Sequence, residues 1–358
     1  MNRPVHGGNL AWAAALAGCP PSFILDFSAS INPLGPPPSA LAAIQANLTA
    51  LAAYPDPDYF LLRSALSQAH QLSPEWILPG NGSAELLTWA GWDLSDLEAT
   101  WLITPAFGDY WRALRAFQTN VIECPLSDFG FWILDFGLVI GNVKSSIPSC
   151  SGLLLNNPHN PTGKLFSRET ILPYLEQFAL VVVDEAFMDF LLPDEEQSLI
   201  PWVAEFPNLV ILRSLTKFYS LPGLRLGYAI AHPDRLRRWQ QRRDPWPVNT
   251  LAAAAGVAVL QDTDFQQQTW NWLAPARKQL FEGLAQLPGL QPLPGAANFL
   301  LVESKQPSSQ VQEKLLKHSK ILIRDCLSFP ELGDRYFRVA VRSFADNERL
   351  LSGLDAIL

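Results

Sequence analysis

The chain reads as an α/β protein: a large domain on a mostly parallel sheet between helices, then a smaller α+β domain. Three observations predict this. Short β-rich runs alternate with helical segments from about residue 76 to residue 231. The pattern changes after residue 245 to long helical stretches and a few late strands. Reactive polar residues sit at or just past the predicted strand ends, where parallel sheets bind their ligands.

The elements follow in order. A short apolar helix over residues 10–19 lies in an arm, residues 1–35, expected to join the small domain. Residues 38–52 carry apolar side chains at helical spacing. Buried strands are predicted at Trp101–Thr104, Val121–Cys124, Gly152–Asn156, Leu180–Asp184, Leu209–Ser214 and Leu226–Ala231. Between them 84–92, 108–117 and 167–178 read as helices, and 36–245 forms the large domain. Residues 246–358 form the small one: helical over 249–287, strands at Asn298–Val302, Ile321–Arg324 and Tyr336–Val341, and a closing helix at 346–357.

Composition excludes several functions. With 48% hydrophobic and 17% charged residues, the 358-residue chain can bury a large core and is not disordered. A net charge of −8 argues against a nucleic-acid surface. The local basic run Arg235, Arg237, Arg238, Arg242 and Arg243 reads as a solvated helix face. Cys19, Cys124, Cys150 and Cys326 are scattered, with no zinc spacing, and read as reduced thiols. No signal peptide or membrane span is evident, so a cytoplasmic protein is expected.

The chemistry starts at Lys217. Ser214-Leu215-Thr216-Lys217-Phe218-Tyr219-Ser220 sets one amine among hydroxyls, with Arg225 eight residues on. A lysine that forms a Schiff base needs a lowered pKa and a fixed position. A cofactor phosphate needs hydroxyls and a guanidinium fork. Together these groups suit pyridoxal phosphate. Alone, such a lysine reads more simply as a surface residue. Asp184 ends the apolar strand Leu180–Asp184, where a carboxylate is costly without a cationic or donor partner; a pyridinium N–H is one such partner and a structural arginine another. Asn157-Pro158-His159-Asn160-Pro161-Thr162-Gly163 is either a plain turn or a loop whose Asn160 amide donates to the phenolic oxygen of the ring. Gly80-Asn81-Gly82-Ser83-Ala84-Glu85 opens a helix whose first N–H groups can take a phosphate. Tyr110 could stack on a ring or serve the core.

Asn160-Pro161-x-Gly163, Asp184-Glu185-Ala186, Ser214-x-x-Lys217 and Arg225 occur in that order. The ordered set resembles the fold-type I, aspartate-aminotransferase-like pyridoxal-phosphate enzymes, over essentially the whole chain. Within them it is most similar to the threonine-phosphate decarboxylases, and beside these to the histidinol-phosphate aminotransferases. His6-Gly7-Gly8-Asn9, Asp26 to Gly35, Tyr54 to Tyr59, Phe187, Arg213 to Tyr219, Pro245 to Asn249 and Tyr336 to Ser343 favour the decarboxylases.

The resemblance implies a seven-stranded large-domain sheet and a homodimer with shared sites. It implies that Lys217 carries the cofactor, Asp184 pairs with its pyridinium nitrogen and Asn160 meets its phenolic oxygen. Ser83, Ala84, Ser214 and Arg225 would hold the cofactor phosphate, Tyr110 would stack on the ring, and Tyr54 would reach the phosphate in the partner subunit. The implied substrate contacts are His6, Gly7, Ser30, Asn160, Arg324 and Arg338, with Arg338 on a carboxylate and Arg324 and His6 on a phosphate. Ser30 stands where the family usually has asparagine. Phe187 stands where aminotransferases commonly have a tyrosine, and phenylalanine cannot donate a hydrogen bond.

Overall fold

The computed structural model describes residues 3–126 and 150–358. Its centre is a seven-stranded sheet. The strands are β2 (Ile77–Asn81), β3 (Ala99–Thr104), β4 (Val121–Pro125), β5 (Ser151–Asn156), β6 (Leu180–Asp184), β7 (Leu209–Ser214) and β8 (Leu226–Ala231). They lie in the order β2-β8-β7-β6-β5-β3-β4, and only β8 runs against its neighbours. Both faces are covered, which is why these strands read as unbroken apolar runs rather than alternating ones. Val181, Val183 and Ile211 pack into one apolar layer, and Val182, Val210 and Leu212 into the other.

The strand of this sheet missing from the sequence reading is β2. It contains Pro79 and Gly80, which weaken any strand pattern. It sits at the sheet edge, where a residue without an N–H is tolerated. The six expected strands form with ends within two residues of those predicted.

The remaining strands are β1 (Leu25–Asp26), β9 (Leu290–Pro292), β10 (Phe299–Ser304), β11 (Ile321–Leu322), β12 (Arg324–Asp325) and β13 (Tyr336–Ala340). Four of them form an antiparallel sheet, β12-β13-β10-β9. The single strand expected at Ile321–Arg324 is two strands in different sheets. β11 pairs in parallel with β1, whereas β12 pairs with β13. The break falls at buried Ile323, whose carbonyl accepts from Gln312 Nε2 at 2.8 Å instead of joining a ladder.

Two helical predictions divide similarly. The 38–52 segment is a helix, Pro38–Ala46, followed by a tighter turn, Leu48–Ala52. Residues 249–287 form Thr250–Leu260 and Thr263–Gln286, separated where the Asp262 carboxylate accepts from Phe265 N at 3.0 Å and caps the second helix.

One buried ion cluster ties the sheet ends together. Arg213, 1% exposed near the end of β7, lies 2.9 Å from Glu185, 2.6 Å from Asp189 and 2.5 Å from Glu196. Glu185 follows β6 directly, and its carboxylate also accepts from Ser198 Oγ and Leu199 N. The loop after β6 is thus bound to β7. Arg213→Ala leaves Glu185 buried without its cation; urea denaturation is expected to show a loss of roughly 3–5 kcal/mol.

Candidate active site

Four parallel strands deliver their carboxyl ends to one edge of the sheet, and β8 starts there because it runs the other way. β6 presents Asp184, β7 presents Ser214 and then Lys217, and β5 leads into the Asn160 loop. β2 leads into a helix, Gly82–Ser95, at the same edge, and Arg225 immediately precedes β8. A cavity of about 320 Å³ opens between this edge, β12–β13 and residues 5–7. Of the residues singled out from the sequence, all but Tyr54 line it. Tyr54 lies outside, 78% exposed, its ring stacked on Trp246 with centroids 4.3 Å apart.

Lys217 is held by its backbone. Its carbonyl accepts from Asn32 N at 3.1 Å, and Asn32 Nδ2 donates to the next carbonyl, Phe218 O, at 2.8 Å. Asn32 is buried and pins the lysine loop, a role that the sequence reading did not give it. The Lys217 amine is pushed down to about 8, first by burial and then by the Arg338 and Arg225 guanidiniums, with Asp184 opposing. Asp184 accepts from Tyr110 Oη at 2.9 Å and from Ala186 N at 3.0 Å. Burial raises its carboxyl pKa; those two hydrogen bonds and the Lys217 charge pull it back. A cationic N–H beside it would complete the compensation.

At one end of the cavity the donors suit a phosphate. Ser83 and Ala84 lie in the first turn of their helix, where N–H groups lack intrahelical partners. Ser214 Oγ and Thr216 Oγ1 are 2.7 Å apart and both residues line the same wall. Arg225 closes the set. It is a non-glycine residue at φ +56°, and a Cβ on Gly82, at φ +72°, would lie 2.6 Å from its Nη2. Gly82 lets the Arg225 guanidinium lie close against the helix start, so N–H groups, hydroxyls and a guanidinium together suit an anion.

At the other end two arginines face each other. Arg324 and Arg338 are direct cross-strand partners of β12 and β13, and both line the cavity. Like charges placed opposite each other repel unless an anion lies between them. The Arg338 pKa is held down to about 10 by burial and by Arg324. Arg338 donates to Asn160 Oδ1 and stacks 4.8 Å over Phe299, which leaves the Asn160 amide N–H groups for another acceptor. Arg324 donates to Val5 O and to Ser328 Oγ at 2.5 Å. Ser328 was missed in the sequence; its only signal is a hydroxyl four residues after Arg324. Ser30 Oγ is buried in the cavity wall with no partner. His6 rests on Phe107, ring centroids 5.6 Å apart, and burial lowers its pKa while Asp109 raises it. Phe187 lines the wall against Phe299.

The model of aminotransferases of class I and II matches residues 23–357. The chain belongs to this family. It is 40% identical to threonine-phosphate decarboxylase of Salmonella typhimurium, over 99% of this chain and 96% of that protein. It is 33% identical to histidinol-phosphate aminotransferase of Methylobacillus flagellatus, over 95% of this chain and 90% of that protein. The fold matches histidinol-phosphate aminotransferase of Sinorhizobium meliloti, solved in complex with pyridoxal-5'-phosphate, with a TM-score of 0.86 at 23% identity over 98% of this chain and 94% of that one. The chain is accordingly a pyridoxal-phosphate enzyme. Its residues fit that cofactor: an anion cradle at one end, a buried carboxylate with a deficit of positive charge, and between them an amine of lowered pKa.

The Lys217 amine is buried in the cavity with its pKa pushed down to about 8, so covalent capture of pyridoxal phosphate by cofactor-free protein is expected to speed up as pH rises and level off above about 8. Stopped-flow absorbance checks this, and a rate that does not vary with pH would contradict it.

Proposed function

We propose that the protein decarboxylates L-threonine O-3-phosphate to (R)-1-amino-2-propanol O-2-phosphate and CO2, a step in corrinoid supply. The observation that carries this reading is the facing pair Arg324 and Arg338, which suits one small substrate with two anionic groups. The 40% identity to a threonine-phosphate decarboxylase supports it. So does Phe187, which offers the ring an apolar wall where a hydroxyl donor would favour transamination.

When bound, pyridoxal phosphate supplies an electron sink for the bond broken at the α-carbon. Lys217 would carry it, Asp184 would meet its pyridinium nitrogen, Asn160 would donate to its phenolic oxygen, and Ser83, Ala84, Ser214 and Arg225 would hold its phosphate; Tyr110 anchors Asp184 and would stack on the ring. Arg338 would take the substrate carboxylate and so select the bond that breaks. Arg324, His6 and Ser328 take the substrate phosphate, with Gly7 and Ser30 beside it. The apolar ring of Phe187, backed by buried Phe299, would disfavour the charged carboxylate and accept neutral CO2. The electron pair left at the α-carbon takes a proton from Lys217 Nζ, whose pKa near 8 lets it give one up close to neutral pH.

We place the reaction in the cytoplasm, with no nucleic acid or membrane as partner: the four cysteines are unpaired, and among the described residues no helix is long and apolar enough to cross a membrane. The reading includes a homodimer with shared sites. Leu41, Leu48, Leu51, Tyr54, Phe60 and Leu61 are exposed along one stretch of chain and Trp246 stacks on Tyr54, exposed apolar side chains suited to a second copy. The domain division is kept as arm 1–35, large domain 36–245 and small domain 246–358. The 33% identity to a histidinol-phosphate aminotransferase favours one alternative, transamination of a phosphorylated substrate.

The cofactor-loaded protein is expected to release CO2 from L-threonine O-phosphate with no oxo acid present; CO2 silence together with consumption of 2-oxoglutarate and histidinol phosphate as a pair would assign the aminotransferase reading instead. Arg338→Gln is expected to lower kcat/KM for decarboxylation about 100-fold, or roughly 3 kcal/mol, in the same assay.

A further inference from the structure

The cavity mouth is covered on one side by residues 5–7, and an ion pair outside the cavity, at Arg3, helps hold the start of that segment. Arg3 Nη1 lies 2.6 Å from Asp325 Oδ2 and donates to Gln312 Oε1 at 3.3 Å, while its Nη2 donates to Ser309 O at 3.2 Å. Asp325 is buried, and its other oxygen accepts from Arg324 Nη1 at 3.4 Å. One carboxylate therefore spans two guanidiniums, one outside the cavity and one lining it. Arg324 in turn donates to the carbonyls of Pro4, at 3.4 Å, and Val5.

The far end of the segment is anchored separately. Gly8 N donates to Ser28 Oγ at 2.8 Å, and a Cβ on Gly7 would lie 2.2 Å from Ser28 O. His6 is carried between these two anchors, over the cavity and against Phe107. Arg3 itself precedes every helix and strand, and its side chain is 34% exposed. Arg3 is partly exposed and Asp325 keeps Arg324 as a partner without it, so loss of the pair costs little global stability. Its effect falls on local order: a segment that is not held must be ordered each time a ligand binds, at an entropic cost.

We propose that Arg3 and Asp325 are positioning residues that latch residues 4–7 across the cavity, so that His6 and the Gly7 backbone are set in place for the phosphate end of the substrate. The latch governs substrate affinity and leaves bond breaking at the α-carbon untouched. It rests on the reading that the cavity takes a phosphorylated amino acid.

The test compares cofactor-loaded wild type, Arg3→Ala and Arg3→Lys by amide hydrogen exchange and by steady-state kinetics with L-threonine O-phosphate. In Arg3→Ala the amides of residues 5–8 are expected to exchange about tenfold faster, while the central strands keep their protection. KM is expected to rise about fivefold with kcat within about twofold, and Arg3→Lys to recover most of both changes. Unchanged exchange at residues 5–8 overturns the latch, as does a fall in kcat at constant KM. If the wild type leaves L-threonine O-phosphate untouched, the functional reading fails on its own; the exchange comparison then decides the latch, faster exchange supporting it and unchanged exchange overturning it.

Discussion

The buried Arg213 guanidinium is the constraint on which the site depends. A charge sealed inside a protein is tolerable only when its partners are placed around it, and Arg213 has three carboxylates, all on the segment between β6 and β7. Arg213 precedes Ser214 and lies four residues before Lys217. Holding Glu185 and Asp189 therefore holds the ends of β6 and β7 in one relation. The Asp184 carboxylate and the Lys217 amine are kept in one relation by an interaction outside the cavity that both of them line.

The site is an arrangement of unbalanced charge. Asp184 has a raised pKa, Lys217 a lowered one, and Arg338 lies opposite Arg324. Each of these states costs free energy in the protein alone, and each is relieved by a particular ligand group: a pyridinium for the carboxylate, a carbonyl carbon for the amine, two anions for the arginines. At the opposite end Arg225 and Gly82, both at positive φ, lie together at a helix start, so the cavity has two separate groups of donors for anions, one at that helix start and one between strands.

The wall that carries Arg338 is set from behind. Phe187 and Phe299 pack together, and Arg338 lies over Phe299 while reaching Asn160. The position of the Arg338 guanidinium therefore depends on buried packing that does not involve Lys217, Asp184 or Arg225.

The sequence by itself determined the large-domain strands, because a parallel sheet buried on both faces leaves continuous apolar runs that can be read one after another. It also determined the order of Asn160, Asp184, Lys217 and Arg225, because those residues lie just past or just before strands and need no distant partner to be noticed. Tertiary structure decided what local pattern could not carry. β2 is a strand because it pairs at an edge where Pro79 is harmless, and Ile321 to Asp325 divides because Gln312 takes the Ile323 carbonyl. Asn32, Ser328 and Arg3 acquire their places only through contacts with residues 185 to 322 positions away or, for Ser328, through the direction in which Arg324 points. Their residue types are ordinary in loops, so nothing in the local sequence distinguishes them, and only the folded chain brings each to its partner.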